Sequence, residues 1–371
     1  MKTLRRLIYG EILIAVTFVL LAFLALFSFF DLLDELPALG RASPLDPGLV
    51  YGMPQALAYV ALQLPTRIYE LLPIAVLIGT VFVLVRLAQS SEFTILRTSG
   101  LGPWRALRTL LVLGAGFVLL TFAIGDYVAP LAGKTGQLLK SHYQGRISMG
   151  RTGAWLKEHI GDSQFSVNVG ALDADGRLHE IRLFEFGDDG RLRGTVNAAR
   201  GSVDAEGNWR LEQVQKRRFD TQGEQARITR EALEQWSWRT SLSTETISVA
   251  LLKPERMATL DLFSYVRHLQ ANGQNAQRYE IEFWRKLFYP LSCLVMVVLA
   301  LPFAYLHFRS SGSAGHVFLG VMLGISFFLL SNVFGYIGNL HAWQPWLAAA
   351  APSLLYSLVS LGAFGWLVLR R

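Results

Sequence analysis

The chain has 371 residues, of which 52% are hydrophobic and only 17% charged, and it carries a net charge of +7 at pH 7. Soluble domains average about 25% charged residues, so composition alone excludes an ordinary soluble enzyme as a description of the whole chain. The cations are spread over short loops and form no basic stripe, which argues against a nucleic-acid partner.

Three apolar runs come first. Ile12–Phe30 carries no charge. Leu71–Val85 is bounded by Glu70 and Arg86 but extends through Ile68 and Leu87. Thr109–Gly125 lies between Arg108 and Asp126. After a long polar segment come Leu287–Leu306, Val317–Leu340 and Ala342–Leu369. Each run approaches or exceeds the ~20 apolar residues that cross a bilayer as a helix. The first is too long for the ~7–15-residue apolar core of a signal peptide, and no small-residue cleavage site follows it. Pro65 and Pro73 flank the start of the second span. They either kink it to shape a cavity or reflect ordinary proline usage in membrane helices.

Arginine and lysine in short loops set the orientation. Lys2, Arg5 and Arg6 precede span one. Arg86, Arg97, Arg105 and Arg108 lie between spans two and three, Arg309 between four and five, and Arg370 and Arg371 end the chain. With six spans these sites share one face, which places both termini inside and the polar insert outside. The first outer loop has only Arg41 and Arg67, against Asp31, Asp34, Glu35 and Asp46.

The insert reads as an all-β domain. Phe165–Gly170, Leu178–Phe186, Arg191–Val196 and Trp209–Phe219 alternate. Asp175-Gly176, Asp189-Gly190 and Gly207-Asn208 supply residues that tolerate positive φ between strands. Strands at this spacing suit a sandwich or jelly roll. Asp173, Asp175 and Gly176 resemble a fragment of a calcium loop, but the ligand pattern stops there and a turn is expected. Asp261–Arg285 reads as an amphipathic helix broken at Gly273, leading into span four. The predicted divisions are 1–135 for the first three spans, 136–260 for the β-domain, 261–285 for the interface segment and 286–371 for the last three spans. Cys293, within span four, is the only cysteine, so the outer domain has no disulfide to rely on.

The inner loop at residues 89–100 encodes a short helix. Ser90 or Ser91 can cap it, Glu92 suits its first turn and Gly100 its end. With Phe93, Leu96 and Arg97, Glu92 forms a knob of the kind that couples a membrane subunit to an ATPase. The alternative is a plain interfacial helix. At the outer ends of the spans, Arg67, Lys134, Lys140, Arg146, Arg285 and Lys286 appear short of acidic partners. They would either hold a phosphorylated head group or snorkel to set span depth. Glu11 and Asp126 lie close to span ends, where solvation accounts for them. No phosphate-binding loop of the G-x-x-x-x-G-K-[ST] type, no H-E-x-x-H and no mid-membrane aspartate pair occurs, so energy must come from a partner or a gradient.

Several segments together resemble one family. They are Phe30–Leu36, Leu72-Pro73, Leu77-Ile78-Gly79, Leu87-Ala88, Ser91-Glu92, Ser99-Gly100, Gly125-Asp126-Tyr127-Val128-Ala129-Pro130, Gly153-Ala154-Trp155, Gly273, Arg278-Tyr279, Phe283-Trp284, Lys286-Leu287, Pro290-Leu291 and Met296. Their order and spacing resemble the LptF/LptG permeases of the lipopolysaccharide exporter, and Gly153–Trp155 favours the LptG branch over LptF.

The resemblance implies a polytopic α-helical membrane protein of six transmembrane helices, both termini cytoplasmic, with a periplasmic β-jellyroll inserted between helices three and four. It implies residence in the inner membrane of a Gram-negative bacterium. It also implies a sister permease (LptF), an LptB ATPase dimer, single-span LptC and a jellyroll bridge as partners, with lipopolysaccharide as cargo. No cofactor is expected on this chain; ATP and Mg belong to the ATPase. Glu92 matches the family's coupling glutamate. Where the family often has lysines at the end of span one, Asp31, Pro37 and Ala38 stand here. The phosphate-binding set is therefore expected to come from Arg41, Arg67, Lys134, Lys140, Arg285 and Lys286. Phe23, Leu26, Phe27 and Phe30 are expected to line an apolar wall for acyl chains. The competing readings are a permease of another ATP-driven envelope machine (lipoprotein export or mechanotransmission), a membrane sensor with an outer β-domain, and a lipid-modifying membrane enzyme. The last lacks a visible set of reactive residues.

Overall fold

The computed structural model describes residues 2–41, 49–90, 102–144, 153–173, 176–204, 208–220, 227–243, 246–247, 254–305 and 313–369. Among the described residues, six helices are long and apolar enough to cross a membrane: Arg5–Ala38, Met53–Gln89, Pro103–Lys140, Gln277–Ala304, Phe318–Leu340 and Pro345–Trp366. Most extend well past the apolar runs that predict them. Helix α1, Lys2–Glu35, has 34 residues and is therefore about 50 Å long, against a hydrocarbon core of about 30 Å. It ends where Pro37 begins a short 3-10 turn, Leu36–Ala38. The chain divides into two compact units, Met1–Asp34 with Val60–Ala132 and Glu280–Arg371, and Glu35–Tyr59 with Gly133–Tyr279.

In the helical unit, α2 (Met53–Gln89) is central and contains Pro65 and Pro73 within one continuous helix. Residues Leu71 to Val81 are all buried. Lost backbone bonds at proline are tolerated in such helices because neighbouring groups satisfy them. Helix α1 runs antiparallel to α2 and is fastened to it at three levels. Glu11 pairs with Arg86 at 2.5 Å. A Cβ on Gly79 would lie 2.7 Å from the Val16 backbone nitrogen. Asp31 pairs with Arg67 at 2.6 Å. Glu11 is thus ion-paired, which corrects the expectation that solvation alone accounts for it.

Helix α3, Pro103–Ala123, widens into a π turn over Ile124–Val128 and continues as α4, Ala129–Gln144. The Ala129 N–H bonds to the Ile124 carbonyl, the wide i→i−5 pattern. Pro130 explains the position, because its ring would clash with the carbonyl of Asp126 in a regular α-helix.

After the inserted domain come α5 (Thr259–Ala271) and α6 (Gln277–Phe288), separated at Gly273, whose φ is 62°. Helix α7, Ser292–Ala300, is framed by 3-10 turns at Tyr289–Leu291 and Leu301–Ala304, each containing a proline. Helices α8, Ser313–Leu340, and α9, Pro345–Leu369, close the chain. The sixth span starts at Pro345 rather than Ala342. Ala342 has φ of 50°, and the Trp343 N–H bonds back to the Gly338 carbonyl, a left-handed helix stop.

The second unit contains one six-stranded antiparallel sheet in sequential order: β1 (Ala154–Ile160), β2 (Ser163–Leu172), β3 (Leu178–Gly187), β4 (Leu192–Val203), β5 (Trp209–Asp220) and β6 (Arg227–Trp238). The four strands expected from alternation are present, and β1 and β6 are additional. At the β2–β3 hairpin, the Gly176 N–H (φ 76°) bonds to the Asp173 carbonyl as in a turn, and the Asp173 carboxylate lies 2.6 Å from His179 Nε2. Gly190 (φ 71°) bonds back to the Gly187 carbonyl. Asp175 and Gly207 lie outside the described residues.

A crease crosses this sheet. Glu180 and Gln213 both have φ of 53°, an uncommon conformation for residues with a side chain. Pairing skips their rung, passing from Val169↔Ile181 to Ala171↔His179 and from Ala198↔Val214 to Arg200↔Glu212. Gly170 occupies the same rung on β2, where a Cβ would lie 2.9 Å from the Glu180 Cβ. The buried face changes parity there. It is Leu178 before and Ile181 and Leu183 after on β3, and Trp209 and Leu211 before and Val214 after on β5. Trp209 anchors the core. It is fully buried, donates from Nε1 to the Leu242 carbonyl at 2.8 Å and meets Trp238 edge-on.

Candidate functional site

The coupling residues Glu92, Phe93, Leu96 and Arg97, with Ser91, lie outside the described residues, as do Arg146 and Arg309. Helix α2 ends just before them, where the Ser90 N–H bonds to the Arg86 carbonyl at 3.0 Å.

The outer cations are not short of partners, which corrects the sequence expectation for every described member of the set whose side-chain contacts are resolved. Arg67 is forked onto Asp31, Nε to Oδ2 at 3.0 Å and Nη2 to Oδ1 at 2.6 Å, and its Nη1 reaches Glu70 at 3.3 Å. The Arg67 guanidinium also lies 5.4 Å from the Phe27 ring centroid. Arg285 donates to Glu282 at 3.3 Å and to the Asn332 side chain at 2.7 Å. Lys286 is buried, and its Nζ donates to the Gly125 carbonyl at 3.2 Å. In the second unit, Lys140 bonds to Glu35 at 2.6 Å and lies 4.6 Å from the Tyr59 ring centroid. Glu35 is itself buried and accepts from the Tyr51 hydroxyl at 3.2 Å. Lys134 pairs with Asp261 at 3.4 Å. Arg41 is exposed, and its carbonyl accepts from the Tyr51 N–H. Helical spacing accounts for the i,i+3 pairs Arg67–Glu70 and Arg285–Glu282, but it could not reveal Arg67–Asp31, Lys140–Glu35 or Lys134–Asp261, whose partners lie far apart in sequence.

The Lys286 contact joins two of the segments that carry the family resemblance. The π turn leaves backbone carbonyls without their usual α-helical partners, and the buried ammonium meets one of them. Gly125 is required at this point, since a Cβ there would lie 2.3 Å from the Tyr69 ring. Tyr69 packs on Tyr289, whose hydroxyl donates to the Glu70 carbonyl at 2.5 Å. Spans two, three and four therefore meet in a polar junction.

Along α1, Leu26 and Phe30 are half exposed, while Phe23 and Phe27 are intermediate. An apolar strip thus ends one residue before Asp31.

The hollow of the sheet, about 260 Å³, is lined by Phe165, Trp236 and Trp238 but also by Glu185, Lys216, Arg218 and Glu231. Charged side chains therefore share this hollow with aromatic ones. Beyond the crease the even-numbered residues of β5 take the inward side with Val214, and Lys216 and Arg218 follow it. Lys216 Nζ lies 3.6 Å from the Trp236 ring centroid, and burial lowers its pKa.

Among the described residues, six membrane-length helices interrupted by an antiparallel β-domain define a multi-pass helical membrane protein with a β-domain insert. Residues 6–370 match the family described as lipopolysaccharide export system permease LptF/LptG, and the chain belongs to that family. It is 30% identical over 316 residues to the lipopolysaccharide export system permease protein LptG of Escherichia coli K12, covering 84% of this chain and 85% of that protein. It is 26% identical over 376 residues to the LptG protein of Haemophilus influenzae, covering 100% of this chain and 99% of that protein.

Proposed function

We propose that this chain is a permease subunit of an ATP-driven lipopolysaccharide exporter in the inner membrane. It takes the lipid from the outer leaflet and passes it to a periplasmic jellyroll bridge. Family membership across residues 6–370 is the observation that carries this reading. The β-domain lies in the periplasm, because arginine and lysine concentrate on the other set of loops. The chain works beside a sister permease, and a cytoplasmic ATPase pair binds the loop around Glu92. A single-span subunit completes the assembly. Hydrolysis belongs to the ATPase, and this chain supplies no catalytic group.

The physical task is to balance removal of several acyl chains from a bilayer, each CH₂ being worth about 0.8 kcal/mol against water. Phe23, Leu26, Phe27 and Phe30 on α1 supply apolar surface for that exchange. Of the cations, Arg67 on α2 and the exposed Arg41 are the ones proposed to meet phosphate. Lys286 is withdrawn from that role, since it is buried on a backbone carbonyl.

Co-expression with neighbouring genes, followed by native mass spectrometry of the detergent-purified complex, tests the reading. The expected complex has one copy of this chain, one different permease, two ATPases and a bound mass of the lipid A type. A homodimer, or a monomer without ATPase, would overturn it. Charge reversal by Glu92→Lys is expected to release the ATPase while leaving expression intact.

A further inference from the structure

The Asp31–Arg67 pair has features that a helix clasp alone does not require. The contact is a side-on fork, with two N–H groups on two carboxylate oxygens at 3.0 and 2.6 Å. A guanidinium binds phosphate oxygens in the same fork. The carboxylate side chain is 15% exposed and the guanidinium 31%, so the pair is sheltered yet reachable. The apolar strip of α1 leads directly to it, with Phe27 beneath the guanidinium. A lipid whose chains lie along that strip would bring its anionic head group to Arg67. Helix α1 does not depend on this pair for its attachment, since Glu11–Arg86 and the Gly79–Val16 contact hold it elsewhere.

We propose that Asp31 is a displaceable counter-ion on Arg67. Its exchange for a substrate phosphate sets the preference for phosphorylated lipid and releases the end of α1 from α2. The inference rests on the export reading above. A phosphate monoester carries a charge of about −1.5 to −2 at neutral pH, against −1 for the aspartate, so it competes for the fork. A neutral sugar head group cannot compete, and it leaves the clasp closed. Asp31 thereby acts as a specificity-determining residue through the arginine it occupies.

The test uses the co-expressed complex and two probes, bisphosphorylated lipid A and its enzymatically dephosphorylated counterpart. Binding is measured for wild type, Asp31→Asn, Arg67→Gln and the double variant. Asp31→Asn is expected to tighten binding of the phosphorylated probe by about fivefold, the effect of removing one competing charge at a charged hydrogen-bond site. Binding of the dephosphorylated probe should not change. Arg67→Gln should lose most of the discrimination between probes, and the double variant should match Arg67→Gln. Asn is nearly isosteric with Asp, and gel-filtration profiles of all four complexes report assembly. If Asp31→Asn leaves the phosphorylated probe unchanged, or weakens both probes equally, the pair is only a clasp and the proposal is overturned. If wild type binds neither probe, the export reading itself fails and the counter-ion role fails with it.

Discussion

At the scale of single residues, charge placement decides most of what this chain can do. Lys286 sits where the sequence offers a cation for phosphate, but it is buried against the Gly125 carbonyl in the π turn. Lys286→Met keeps the stem and removes the charged hydrogen bond. It is expected to lower stability by about 2 kcal/mol, read as a reduced midpoint in thermal unfolding of the purified complex. His268, on α5, is a half-buried case whose Nε2 is enclosed. Its Nε2 has no hydrogen-bond partner among the described residues. Burial lowers its pKa below the ordinary 6.5, with the Glu158 carboxylate opposing the shift. A histidine whose folded pKa lies below its unfolded value binds fewer protons when folded. Stability is then complete above pH 6.5 and falls as acid carries the protein below it. His268→Gln is expected to flatten that fall between pH 7 and pH 5. An unchanged pH profile would show that another group governs it.

At the scale of elements, the crease sets the shape of the β-domain. A left-handed conformation costs a residue with a side chain about 1–2 kcal/mol relative to glycine, and β-branching makes it worse. Gln213→Val is therefore expected to destabilise the protein by about 2 kcal/mol, whereas Gln213→Gly should be neutral or stabilising; denaturant unfolding followed by tryptophan fluorescence would distinguish them. The same crease explains what alternation could and could not reveal. Leu178–Phe186 and Trp209–Phe219 read as strands because enough apolar residues alternate on each side of the flip. That the inward set changes parity at Glu180 and Gln213 is invisible, since nothing in Glu or Gln announces positive φ. Strand β6 escapes because its residues are mostly exposed and carry no apolar period. The spans were legible from apolar length, but their ends were not, because α1 and α2 stay helical through polar termini such as Arg5 and Gln89. The cation set was legible as residues, and its i,i+3 pairs Arg67–Glu70 and Arg285–Glu282 follow from spacing, but Arg67–Asp31 was not, since it depends on how two helices pack.

At the scale of the whole molecule, large apolar side chains remain exposed on the membrane helices, among them Ile14, Phe18, Leu119 and Leu358. Leaving such surface in water costs about 25 cal/mol per Å², so lipid or a partner subunit covers it. The orientation of the chain can be read with unusual ease. Its single thiol, Cys293, is fully buried beside the Thr121 hydroxyl at 3.3 Å, which keeps background labelling low. A cysteine at Asp189, in the β3–β4 turn, is expected to react with a membrane-impermeant maleimide in intact spheroplasts. One at Ser90 should react only after lysis. The opposite pattern would reverse the assigned topology.

The crease also bears on how such domains are compared and recombined. On one side of it the core is spelled by one set of alternate letters, on the other by the complementary set. Two homologues that place the flip one rung apart would fall out of phase over half the sheet, and their similarity score would drop although their folds agree. A chimera spliced between β3 and β5 inherits the same hazard. It keeps a continuous core only if both parents contribute the row of Gly170, Glu180, Ala199 and Gln213 as a block.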